Sequence, residues 1–123
     1  MTHDNIESEI QAKGKTAPRI TPADVAANIT SEFYFTAADG VDGRAWSTAR
    51  ATNSMRDGTA LGLLTFCVLV LRNGFTVTGE SACASPENFD ADVDRKIAHQ
   101  NAVNKVWPLM GYALRNELQA RSF

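Results

Sequence analysis

Two β-rich runs joined by Asn73-Gly74 constrain this chain more than any other feature: "LLTFCVLVLRNGFTVTGES", from Leu63 to Ser81. The first run, Leu63 to Arg72, is rich in β-branched and aromatic residues, and Phe75 to Ser81 alternates apolar with polar. Asn-Gly between such runs predicts a hairpin, because a type I′ turn needs positive φ at both central residues. A two-residue turn sets Arg72 opposite Phe75. Phe66, Val68 and Val70 then share a face with Phe75 and Val77, which is the expected core. Cys67, Leu69 and Leu71 fall beside Thr76, Thr78 and Glu80, a half-polar face expected to meet a partner, a second copy or solvent. Two strands alone are marginal in water, so further strands or self-association are expected, and a homo-oligomer is the expected state.

Helix signals flank the hairpin. Thr21-Pro22-Ala23-Asp24 combines a cap hydroxyl, a first-turn proline and an acid that meets the helix dipole. Val25, Ile29 and Phe33 follow at i, i+4, i+8, which predicts a helix from about Pro22 to Phe35, ended by Asp39-Gly40 and Asp42-Gly43. Late in the second strand, Gly79 marks a bulge or a close backbone approach, and past the hairpin Ser85-Pro86-Glu87 reads as a helix start. Phe89, Val93, Ile97, Val103 and Trp107 form the expected apolar stripe of that helix. Pro108 is expected to kink or break it before Leu109, Tyr112 and Leu118. The expected fold class is α+β: an antiparallel hairpin or small sheet packed by an N-terminal helix and a Pro-kinked C-terminal helix. Residues 1–20 read as a flexible N-terminal arm, or a short helix through Ile6 and Ile10. Residues 21–123 read as a single domain.

Composition narrows the classes of function. A hydrophobic content of 44% with a net charge of −2 excludes a disordered acidic chain and lacks the basic excess of a dedicated DNA-binding domain. The opening Met1-Thr2-His3-Asp4 lacks the cationic and apolar regions of a signal peptide, and the longest apolar run, Ala60 to Leu71, is too short to span a bilayer. Cytosolic residence with no membrane partner is the expectation. Cys67 and Cys83 fit neither a disulfide framework nor a zinc site, and both are expected reduced.

Candidate chemistry is sparse. Gly79-Glu80-Ser81-Ala82-Cys83 resembles a nucleophile elbow without its second glycine. Asp90, Asp92 and Asp94 imitate a calcium loop, but Arg95 stands where glycine is needed and Asn101 where an acid is needed. His3 and His99 have no ligand partner in the pattern, so neither metal nor cofactor is expected. Arg44 to Gly58 lacks periodicity. Arg44, Arg50 and Arg56 can be read there as a phosphate or acidic-partner grip with Trp46 as an anchor, or as a solvated loop with Trp46 against the core. Arg72, Arg95, Lys96 and Arg115 could bind phosphate, with Trp107 or Tyr112 stacking a base, although both aromatics also read as core. Glu80, an acid on a half-apolar strand face, leads the candidate binding set of Glu80, Thr78, Arg72, Arg95, Trp107, Tyr112, Trp46 and Arg50.

The stretch "LLTFCVLVLRNGFTVTGESACASPENFDADVDRKIAHQNAVNKVWPLMGYALR", with "ITPADVAANITSEFYFTAADGV" before it, resembles the small phage proteins named for a gene 49 product of one phage and a gene 66 product of another. The resemblance runs from about Ile20 to Leu118. It departs at Asp94, where the family is expected to carry glycine in an ordinary helix position. It implies a phage or prophage origin and expression in a bacterial host, and it brings over no catalytic residue. The leading expectation is a non-enzymatic accessory protein in the host cytoplasm. It would bind and inhibit or divert a host protein, such as a defence-system component, in the manner of an anti-CRISPR. The alternatives are a homo-oligomeric sponge for a small anionic nucleotide signal, and a small hydrolase using Glu80 with Ser81 or Cys83.

Overall fold

The computed structural model describes residues 3–15, 17–42 and 60–122. Helix α1 spans His3–Ala12 and leads to α2, Pro22–Asn28. The start of α2 follows the sequence signal closely. The Thr21 hydroxyl accepts from the Asp24 amide at 3.1 Å, and the Asp24 carboxylate accepts from the Thr21 amide at 2.9 Å. Its end does not, because α2 stops at Asn28 and Ile29–Thr36 forms strand β1. The helical spacing of Val25, Ile29 and Phe33 is a coincidence of two elements. "ITSEFYFT" is a β-branched and aromatic run whose ladder to the next strand outweighs a weak helical preference. A short helix α3, Ala37–Asp42, follows, where Thr36 and Asp39 cap each other's amides.

Strands β2, Leu64–Leu71, and β3, Thr76–Ala82, form the expected hairpin, and the sheet order β1-β2-β3 is antiparallel throughout. The hairpin register is one residue away from the two-residue expectation. Val70 faces Thr76 and Leu69 faces Val77, and the Leu71 amide bonds the Phe75 carbonyl at 2.9 Å. The turn therefore holds three residues, Arg72, Asn73 and Gly74. Gly74 takes φ +87, while no non-glycine residue among those described has positive φ, so Asn73 cannot adopt the type I′ geometry. The Gly74 amide bonds the Leu71 carbonyl, and the Asn73 side chain accepts from the Phe75 amide at 2.9 Å.

A one-residue slip exchanges the faces of a strand. Cys67, Leu69 and Leu71 thus join Val77 in the core, whereas Phe66, Val68 and Val70 lie with Thr76, Thr78 and Glu80 on the opposite face. The two faces of β2 are exchanged relative to expectation, β3 keeps Val77 in the core and Thr76, Thr78 and Glu80 on the other face, and Phe75, expected in the core, is 57% exposed.

The core is closed by helix α4, Ala91–Arg121, laid across the sheet. Its N-cap is Asp90, whose carboxylate accepts from the Asp92 and Val93 amides, and Asp92 and Asp94 lie in its first turn, where acids meet the helix dipole. Ser85-Pro86-Glu87 opens only a 3-10 turn, Pro86–Asn88. The buried stripe of α4 is Asp94, Ala98, Ala102 and Val106, while Val93 and Ile97 of the expected stripe are exposed. Small residues are required there. A Cβ at Gly79 would lie 2.2 Å from the Ala98 carbonyl oxygen and 2.3 Å from the Ala102 nitrogen, so glycine lets the helix backbone rest on β3. The close approach expected at Gly79 is real. The helix runs through Pro108 without a break in its assigned span, and Trp107, Val103 and Met110 pack against the core.

Candidate functional site

Alternation along the strands gives the sheet two unlike faces. One lies under α4. On the other, pairing sets Phe35 beside Phe66 and Glu80, Phe33 beside Val68 and Thr78, and Ser31 beside Val70 and Thr76. No helix of the described residues packs over this face, where Phe33 is 56% exposed and Phe35 39%. The Phe35 and Phe66 rings lie 5.5 Å apart between centroids, so cross-strand stacking holds the patch in place. Glu80 is the one charged residue in these rows; its carboxylate accepts from the Thr78 hydroxyl at 3.3 Å. Thr78 and Glu80 are therefore exposed at the rim of an apolar patch.

A second concave region lies where β1 meets the first turns of α4. An outer cleft of about 490 Å³ is lined by Glu32, Tyr34, Asp92, Arg95, Lys96 and His99. A smaller hollow of about 80 Å³ shares the Tyr34 and Arg95 walls and adds Phe35, Thr36, Asp39, Thr65 and Phe89 at the edge of the sheet. The His99 Nε2–H donates to Glu32 at 2.9 Å, and Lys96 meets Asp92 at 3.6 Å. Burial first, then the Cys67 thiol and Glu32, push the Tyr34 hydroxyl above its ordinary range, so it stays protonated and donates to Cys67. Burial also raises the Cys67 thiol, which leaves it a packed, unreactive group.

The candidate residues do not gather into one site. Arg95 and Lys96 line the cleft, but Arg72 lies across the molecule. It borders a groove of about 420 Å³ between α2 and α4 beside Asp24 and Glu117. Arg115 donates to Gln119. Trp107 is partly buried against the core, whereas Tyr112, which also reads as core, is 72% exposed. Trp46 and Arg50, with Arg44 and Arg56, lie outside the described residues. The Ser81 hydroxyl is buried and donates to Asp94 at 2.8 Å, while the Cys83 thiol donates to the Ser85 carbonyl at 3.1 Å. Asp94 is 6% exposed and also accepts from the Asp90 amide, so it ties β3 to α4 and is more than an ordinary helix position.

Glu32, Tyr34, Thr65 and His99 escape sequence reasoning as a group. The alternation Glu32, Phe33, Tyr34, Phe35 is the signal that would have placed the polar pair on one strand face. Among the described residues, no three His, Cys, Asp or Glu side chains converge as a metal site, and no helix is long and apolar enough to cross a membrane.

Comparison with curated proteins and with solved structures gives no match. A family profile described as phage protein (N4 Gp49/phage Sf6 gene 66) matches residues 20–118, from the residue before the α2 cap to the last turn of α4. Because that match spans the sheet and both helices that close its core, the chain belongs to the phage protein family named for N4 Gp49 and Sf6 gene 66.

Proposed function

We propose that this phage protein acts in the host cytoplasm without catalysis of its own, binding a host protein through the open sheet face and inhibiting or diverting it. The counter-defence, anti-CRISPR type of activity is the form this takes. One observation carries the reading. Phe33, Phe35, Phe66, Val68 and Val70 form an apolar patch on a sheet face that no described helix covers. Contiguous apolar patches on soluble chains mark interaction surfaces, and the centre of a protein interface is depleted of charge and enriched in aromatics. The lone acid, Glu80, sits on edge strand β3, where a partner's basic group would meet it at the rim. Edge-strand acids also discourage indiscriminate strand addition.

The test is affinity capture from infected host lysate with the tagged wild-type chain and the Phe33→Asp variant, with native mass spectrometry of the eluates. The expected result is a stoichiometric host protein with the wild type that is lost in the variant. A homodimer that hides Phe33 and retains no host protein would overturn the reading.

A further inference from the structure

The described strands make a sheet with two edges, and the fold occupies only one of them. Hydrogen-bond directions alternate along a strand. The Leu71 amide bonds the Phe75 carbonyl and the Cys83 amide bonds the Leu63 carbonyl, so odd-numbered residues from Leu63 to Leu71 serve β3 and even-numbered ones serve β1. Ser31, Phe33 and Phe35, which face Val70, Val68 and Phe66, therefore bond to β2, while the backbone groups of Glu32 and Tyr34 point away from the sheet.

On β3 the outward residues are Thr76, Thr78 and Glu80. There α4 rests on Gly79, and the Asn101 side chain donates to the Glu80 carbonyl at 2.8 Å. On β1 no described residue bonds the outward amides and carbonyls of Glu32 and Tyr34. Glu32 and Phe33, on opposite faces of this strand, are both exposed. β1 carries neither proline nor lysine to repel an added strand, and its bulge is confined to Thr30.

We propose that a second copy of this chain adds to the β1 edge, antiparallel, about a two-fold axis at Phe33. That axis sets Glu32 opposite the second copy's Tyr34 on both sides of the centre, so the amides and carbonyls of Glu32 and Tyr34 are all bonded and no charge meets a like charge. An axis at Glu32 would set two carboxylates opposite each other. An axis at Tyr34 would pair Glu32 with Thr36, whose amide already bonds Asp39 at 2.8 Å. The dimer continues the three-stranded sheet across the axis and keeps both aromatic patches on one side, with the two Phe33 rings adjacent. It leaves the open face open and does not depend on the host-protein reading.

Sedimentation equilibrium of the full chain at about 100 μM should give twice the chain mass. Glu32→Pro removes an amide that bonds nothing within the sheet, so that variant should stay folded and sediment as a monomer. In a Cys83→Ser background, Phe33→Cys should cross-link on mild oxidation, because Cα atoms of a non-hydrogen-bonded antiparallel pair lie about 4.5 Å apart, within disulfide reach. Phe35→Cys should not, because its two copies would stand about 13 Å apart along the strands. A monomeric wild type, an unchanged dimer in Glu32→Pro, or equal cross-linking of the two cysteine variants would each overturn the proposal. If the proline unfolds the chain, the cross-link pattern decides. Glu32→Pro keeps Phe33 and its patch, so host-protein capture by that monomer supports the other reading alone, and a wild-type dimer that captures none overturns the other reading alone.

Discussion

Gly79 sets the distance between sheet and helix. The Ala98 carbonyl and the Ala102 amide lie where its Cβ would be, and both are backbone groups that cannot swing aside. Gly79→Ala should therefore cost at least the 1–3 kcal/mol typical of overpacking (about that range), as read from urea unfolding. An unchanged midpoint would mean that the helix can lift off the strand freely. Two residues along, Ser81 donates to the buried Asp94 carboxyl. Ser81→Ala leaves that acceptor short of one bond and should destabilise the fold by about 1–3 kcal/mol. The same geometry bears on the nucleophile-elbow resemblance, since a hydroxyl committed to Asp94 in a buried position is a structural tie. A variant losing stability together with activity in proportion would fit that role, and loss of activity alone would not.

Elements differ in how firmly they are tied down. Helix α1 adds no residue to the buried core, and its main anchor is the paired contact of Arg19 with Glu7, at 2.6 and 2.8 Å. The Arg19 and Gln11 hydrogen bonds lower the Glu7 carboxyl from 4.5 to about 2. A carboxylate with a depressed folded-state pKa stabilises fully above its unfolded value and loses that contribution as pH falls toward the folded one. The docking of α1 should accordingly hold above about pH 4.5 and weaken as pH approaches 2. The protection factors of α1 amides, with exchange corrected for its intrinsic pH dependence, should fall through that window in the wild type, while Glu7→Gln should show low protection already at neutral pH. Equal α1 protection at pH 5 and pH 2 would remove the ion pair from this role. Elements also show where sequence reading stops. The Thr21-Pro22-Ala23-Asp24 cap was legible because capping is decided within four residues. The end of α2 was not, because Ile29 and Phe33 fit a helical period and a strand period alike. Pairing with β2 across about forty residues chose between them.

At the scale of the molecule, α4 covers one side of the sheet, and among the described residues no helix is seen to cover the other. Phe66, Val68 and Val70 on that side are half-buried, and Phe33 is the most exposed of the strand phenylalanines there. Phe33→Asp should change folding stability by less than about 0.5 kcal/mol, as for a surface position, while abolishing host-protein capture. A large loss of stability would instead place Phe33 inside a packed layer of the monomer. The candidate binding residues scatter at this scale too. Arg72 and Arg95 stand on different grooves, and only Thr78 and Glu80 share the open face.

The amino-acid sequence by itself determined the local events: the Asn-Gly hairpin, the cap of α2, the close approach at Gly79, and the α+β class. Each depends on backbone preferences or bonds a few residues apart, which a linear reading can see. The tertiary structure alone decided which face of the hairpin is buried. One glycine with φ +87 makes a three-residue turn, and that shift moves Val77 from the side of Phe66, Val68 and Val70 to that of Cys67, Leu69 and Leu71. It also decided that α4 buries alanines while Val93 and Ile97 face outward, and that Arg95 meets Thr65 and Tyr34 around one cavity. The physical reason is common to these outcomes. Register and helix docking are settled by contacts between distant segments, where close packing favours alanine against glycine over larger side chains that would hold the backbones apart.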